Sequence, residues 1–321
     1  MFDRLIHLRN TEFPKLGFTI QVDTLCHKIP NFIEKATKGG ARRVFIGLEN
    51  INPDNLIGAK KRQNKITDYR AMLQKWGDHG AITCAGYILG FPGDTKASIL
   101  HDIEIIKREL PIDILEFFFL TPLPGSEDHK VLWGKQVWMD SDLNKYDLNH
   151  RVTHHPIMSD AAWEKVYFDS WRQFYTPKHV ETVLRRDAAR GKRTSALYSS
   201  VVHFLGAILI EKVHPLECGI VRRKIRTQRR PGMKIENPLL FYPRRVVESL
   251  TSGFRWAQLF LKFRPALKRV KADESARAYT DLALSASSDE ELNEMDLIQV
   301  FKGAIPRTHG APAVAREPAL P

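Results

Sequence analysis

Residues 83–95 read TCAGYILGFPGDT. The stretch begins with strand-forming residues, breaks on Gly-Phe-Pro-Gly, and then supplies Asp94 and Thr95, whose side-chain oxygens suit a helix start. Gly86 and Gly90 stand four apart around Tyr87, Ile88 and Leu89, so an extended strand would place both on one face with Ile88 between them. Glycine there lets a ligand or another backbone approach where a side chain would block it. A strand ending on such an edge and feeding a helix is half of a β/α unit.

The neighbouring sequence repeats the pattern. GFTIQVDTL (17–25) reads as a strand, KIPNFIEKATKGG (28–40) as a helix stopped by glycine, and RRVFIGLEN (42–50) as a strand ending on Glu49. A helix follows to about Gly77–Gly80, then the strand 81–90, a helix over 94–110, and a fourth strand within 112–126 closed by a Pro-Gly turn. Strand–helix–strand units of this length predict right-handed crossovers and a parallel sheet. Strands this apolar are covered on both sides or closed into a barrel, and ligands bind beyond their carboxyl ends. Those ends carry Gln21 and Asp23, Glu49, Gly90 to Asp94, and Thr121, Pro122 and Pro124, which makes them the candidate site.

Composition excludes several classes. The 321 residues, 43% hydrophobic and 27% charged, are a globular composition, neither disordered nor integral to a membrane. Cys26, Cys84 and Cys218 lie far apart, without metal-site spacing, and their odd number argues for a reducing, cytosolic compartment over a disulfide framework. The first residues, MFDRLIHLRNTEF, read as neither a signal nor a transit peptide. The net charge of +12 is concentrated in RRKIRTQRR (222–230), which attracts anionic partners or simply solvates the surface; without interleaved aromatics it does not favour nucleic acid. VVHFLGAILI (201–210) is short for a bilayer and reads as a buried helix, an interfacial helix beside the basic run being the alternative.

Individual residues carry paired readings. Glu49 closes an apolar strand and either accepts hydrogen bonds from a ligand or pairs with Arg42 and Arg43. Gln21 and Asp23 either line a polar barrel interior or mark the strand's end. His150, His154 and His155 with Asp147 fit no common metal spacing, so no metal ligands are assigned. Trp163, Tyr167, Trp171 and Phe174 form an aromatic stripe on a helix over 159–186 that suits packing better than ligand binding. No Ser-His-Asp set, phosphate-binding glycine loop or Cys-His pair is evident.

Taken together, RRVFIGLENINPDNLIGAKKRQN, GYILGFPGDT and FFFLTPLPGSEDH resemble the later strands of radical S-adenosylmethionine (SAM) enzymes, most closely the cobalamin-binding-domain subgroup. In that family the strand ending Gly-x-Glu is followed by a Lys-x-Gln-Asn segment, here Lys61, Gln63 and Asn64. The order and spacing match over residues 15–130, and segments downstream resemble the subgroup's C-terminal extensions. The resemblance implies an α/β fold: a partial (β/α) radical SAM-type barrel lacking its first strands, followed by a mainly α-helical C-terminal extension. The expected divisions are 1–130 for the barrel part, 131–190 for a linker and amphipathic helical extension, 191–302 for a basic helical region, and 303–321 for a disordered tail.

The same resemblance implies S-adenosylmethionine as cofactor, with Gln21, Asp23, Glu49, Gly86, Tyr87, Ile88, Gly90, Thr121 and Pro122 around it. The strand at Gly86–Gly90 would lie against adenine. It also implies a [4Fe-4S] cluster and cobalamin, although the family's Cys-x-x-x-Cys-x-x-Cys motif does not occur here, so their ligands would lie before Met1. The function so implied is reductive SAM cleavage to modify an unknown substrate, small or lipid-like, with cobalamin-dependent methylation as one outcome. Two other readings compete: a non-catalytic remnant or half-protein joined to an upstream partner through an open sheet edge, and a cytoplasmic protein bound peripherally to an anionic membrane surface through residues 195–230.

Overall fold

The structure is a computed structural model that describes residues 1–58, 66–192, 194–215, 217 and 224–285. Lys61, Gln63, Asn64, Cys218, Arg222, Arg223 and the expected tail over 303–321 lie outside the described residues. Helix α1 (Phe2–Thr11) precedes β1 (Phe18–Val22), α2 (Phe32–Lys38), β2 (Ala41–Glu49), α3 (Pro53–Gly58) and α4 (Ile66–Asp78). Then come β3 (Ile82–Leu89), α5 (Lys96–Glu109), β4 (Ile114–Phe119), α6 (Glu127–Gly134), α7 (Asp160–Phe174), α8 (Pro177–Ala189), α9 (Thr194–Gly206) and α10 (Pro238–Ala272). The four strands pair in chain order and in parallel, as the alternating pattern predicts.

Register sorts the strand residues onto two faces. Val44, Ile46, Leu48, Ala85, Tyr87, Leu89, Leu115, Phe117 and Phe119 are buried on one. Helices close over it: the Tyr69 hydroxyl of α4 donates to Leu48 O, the Tyr87 hydroxyl donates to Asp102 of α5, and Phe117 packs edge-on against Trp171 of α7. The aromatic stripe of α7 therefore packs as expected, with Phe119 stacked on Tyr167 at 4.5 Å. The other face carries Gln21, Phe45, Gly47, Cys84, Gly86, Ile88, Glu116 and Phe118, aligned through the register pairs.

The helical extension covers part of this second face. Arg43 donates to Ser200 Oγ of α9 at 3.3 Å and lies over the Phe204 ring, and His214 stacks on Phe118 with its Nε2 3.0 Å from Glu116 Oε2. Toward the carboxyl end the covering stops, leaving Phe45, Gly47, Glu49 and Ile88 half-buried. The segment Thr194–Glu211, α9 and the π-helical turn after it, is 18 residues long and apolar enough to cross a membrane by length and composition, with 50% of it buried in the fold.

Two expected boundaries move. The fourth strand ends at Phe119 because Pro122 and Pro124 have no N–H for a ladder. The helix expected over 159–186 is two: α7 stops at Phe174, and Thr176 caps α8 by accepting from the His179 N–H, with Pro177 in the first turn where a missing N–H is harmless. The segment expected as linker holds α6 and an antiparallel bridge, Met139 to Thr153.

Candidate functional site

The loop after β3 is shaped by its own aspartate. Asp94 Oδ2 accepts from the Gly90 and Phe91 N–H groups, both at 2.9 Å, and its Oδ1 accepts from Asn55 Nδ2 at 2.8 Å. The carboxyl is 3% exposed, and burial pushes its pKa up despite these three donors. Thr95, not Asp94, caps α5, exchanging hydrogen bonds with Ser98 in a capping box. His155 completes the loop: its Nδ1 accepts from the Ile157 and Met158 N–H groups, so its Nε2 donates to Phe91 O at 2.9 Å. The other two imidazoles have separate partners, His150 on Asp147 and His154 on Asp160, so the three histidines do not converge.

The two glycines of the opening stretch do not share a face. A Cβ on Gly86 would meet Phe45 at 2.9 Å and Phe118 at 3.0 Å, on the second face. Gly90 lies past the strand's end at φ +100°, and a Cβ there would enter the Trp163 indole. The turn after Leu89 breaks the two-residue alternation on which the expectation rested. Both glycines make room for the chain's own rings, and a flat adenine would meet the edges of Phe45 and Phe118 before the Gly86 backbone.

The remaining expected residues divide. Glu49 has left-handed backbone, φ +63°, at an irregularity in the β2–β3 register. That conformation is uncommon for a residue with a side chain. It turns the carboxylate back over the second face, with Oε1 2.8 Å from where a Cβ on Gly47 would stand. Ile88 lies half-buried on the same face, and Gln21 is exposed on β1 beside Phe45. Glu49, Ile88 and Gln21 thus gather at the carboxyl end of the second face. Tyr87 points the opposite way, fully buried, and burial pushes its hydroxyl pKa up. Asp23 is spent on its own turn, accepting from the Leu25 N–H at 2.8 Å. Thr121 Oγ1 donates to Phe119 O at 3.0 Å, and Pro122 is buried beside it.

Several residues at this edge escaped sequence reasoning. Buried Asn50 follows Glu49, donates to Ile88 O and accepts from the Asn52 N–H, fixing the β2 terminus to β3. An Asx turn of this kind is readable from Asn-x-Asn only when the strand end is already known. A cavity of about 260 Å³ opens beyond β4, lined by Phe119, Lys145, Arg151, Tyr167, Phe168 and Lys212 among others. Lys145 pairs with Asp140 and Arg151 with Asp160, while the Lys212 ammonium lies 4.8 Å from the centre of the Phe168 ring. Partial burial, with Arg172 and Arg255 nearby, lowers the Lys212 pKa.

The described residues do not fit an iron–sulfur cluster. Such a cluster needs convergent thiolates. Cys26 sits in the turn after β1 and Cys84 in mid-β3; both are buried, and burial pushes both thiols up. Among the described residues no three His, Cys, Asp or Glu side chains are grouped to hold a metal ion.

No family model matches the chain. Over 121 residues, 38% of its length, the chain is 29% identical to the bacteriochlorophyllide d C-12(1)-methyltransferase of Chlorobaculum tepidum. The match takes in 26% of that protein, so the chain spans about a quarter of the curated relative. Among solved structures it is similar to the radical S-adenosylmethionine methyltransferase TsrM from Kitasatospora setae with cobalamin and a [4Fe-4S] cluster bound: 18% identity over 37% of this chain and 24% of that one, TM-score 0.32. It is also similar to the cobalamin-dependent S-adenosylmethionine radical enzyme OxsB with aqua-cobalamin bound, at 10% identity over 94% of this chain and 49% of that one, TM-score 0.36.

Proposed function

We propose that this chain forms the carboxyl-side part of a radical SAM methyltransferase barrel and holds the adenosyl portion of S-adenosylmethionine at the carboxyl ends of β2 and β3. The observation that carries the reading is Glu49. A residue placed in a strained left-handed conformation, with its carboxylate swung over an apolar face, suits a ligand that offers hydroxyl or amino donors beside a flat ring. Ile88 and the edges of Phe45 and Phe118 would supply the wall, and Asn50 and Asp94 hold the two strand ends in place. The methyltransferase relative supports methyl transfer as the outcome. The described residues offer no ligand set for an iron–sulfur cluster, so the reading is confined to holding the cofactor's adenosyl portion, and residues outside those described would have to hold a cluster or cobalamin.

Calorimetric titration of the full chain with S-adenosylmethionine tests the reading. Binding is expected, and Glu49→Gln should weaken it by about 10-fold or more, the value of a hydrogen bond to a charged group. Glu34→Gln, at an exposed carboxylate on α2, should leave it unchanged. Absence of binding to the unaltered chain at millimolar ligand would remove the proposal. A second reading, a half-protein acting through a partner, is favoured by β1: it pairs only with β2 among the described residues and exposes Thr19 and Gln21.

A further inference from the structure

Helix α10 is packed on one side and bare on the other. Phe241, Trp256, Phe263, Ala266 and Val270 are buried, and Trp256 donates from Nε1 to Glu211 while its ring covers Gly206 at the end of α9. The opposite side carries Leu239, Val246, Leu250, Phe254 and Leu261, spaced 7, 4, 4 and 7 residues apart, which is one continuous stripe of a 3.6-residue helix. Leu250 is 70% exposed and Phe254 64%, and Leu240 and Val247 widen the stripe on one flank. At 1.5 Å per residue the stripe runs about 33 Å, longer than the scattered apolar residues of an ordinary surface.

Charge decides what covers it. Within Pro238–Ala272, eight Lys and Arg stand against one acidic residue, Glu248. Arg244 and Arg245 are spent on Glu236 and Glu248, and Arg269 on Glu181. Arg255, Lys262, Arg264, Lys268 and Lys271 have no ion pair among the described residues. Arg264, Lys268 and Lys271 continue the stripe's own i+3, i+4 positions beyond Leu261, so the apolar track ends in a cationic one. A second copy would bring the same cations to the interface on a chain of net charge +12, and the two would repel. An anionic bilayer surface complements both halves. The leucines and Phe254 enter the headgroup boundary, and the long basic side chains reach the phosphates.

We infer that the exposed side of α10 docks this protein onto a membrane rich in anionic phospholipid, independently of what the strand ends bind. Co-sedimentation of the full chain with phosphatidylglycerol–phosphatidylcholine vesicles, against phosphatidylcholine alone, tests this. Binding is expected to the anionic vesicles and to fall as salt is raised. Leu250→Ser/Phe254→Ser should cut the partition coefficient about 10-fold or more with an unchanged melting temperature, since both side chains are solvated in the fold. Lys268→Gln/Lys271→Gln should weaken binding to the anionic vesicles only. The inference is overturned if the unaltered chain stays in the supernatant, or binds both vesicle types equally. It is also overturned if the Leu250/Phe254 variant binds like the unaltered chain, or if light scattering shows a dimer which that variant dissociates.

Discussion

At the scale of single residues, the two glycines that open the sequence argument make opposite demands. Gly90 combines φ +100° with a neighbour that does not yield: Trp163 is 1% exposed and is held by edge-on contacts with Phe119 and His155. Gly86 has ordinary strand backbone, and what a methyl would touch there are the outer carbons of two half-buried phenyl rings. Gly90→Ala should therefore cost about 3 kcal/mol or more, left-handed strain and overpacking acting together, and Gly86→Ala about 1 kcal/mol. Urea unfolding of the two variants checks the order, and equal losses would mean that the loop after β3 can refit around Trp163.

At the scale of elements, β4 shows how this sheet protects a flank. The Leu115 N–H donates to the Tyr175 hydroxyl at 3.1 Å, the same hydroxyl donates to Leu115 O at 2.9 Å, and the Phe119 N–H donates to Leu148 O. One buried side chain from the end of α7 thus does the work of a strand at that point. Tyr175→Phe should cost about 1–3 kcal/mol by leaving a buried N–H and carbonyl unmet, and in the variant the Leu115 amide should exchange with solvent faster than that of Glu116, on the alternate, β3-facing side of the strand. This edge cap was not legible in the sequence, because it depends on where a helix stops rather than on any period. The strands and α5 were legible, since apolar runs and an Asp-Thr helix start are local signals, although which of Asp94 and Thr95 caps the helix was not. Glu49 was legible as a polar strand end but not as a left-handed one, and the Gly90–Trp163 fit joins segments that no motif connects.

At the scale of the whole molecule, the helical extension is tied to the amino end of the sheet by a lysine between two carboxylates. Lys192 donates to Ala81 O at 2.7 Å and lies 3.3 Å from Asp113 Oδ2, which itself accepts from the Thr83 N–H. Asp187, 1% exposed near the end of α8, has one oxygen without a hydrogen-bond partner among the described residues. Burial, and then repulsion from Asp113, push its pKa from the ordinary 3.8 up to about 6. Because the folded pKa is the higher one, the native chain binds more protons than the unfolded chain between those values. Its stability should therefore fall as pH rises from about 4 through 6, and the penalty should be complete above that. Asp187→Asn removes the titration: it should stabilise the protein by about 2–3 kcal/mol at pH 8 and change little at pH 4, following the linkage value of 1.36 kcal/mol per pKa unit. Thermal melts of both proteins across that range check the sign. A variant gain that is constant with pH would assign the effect to packing instead, and leave the joint between sheet and helices indifferent to protons.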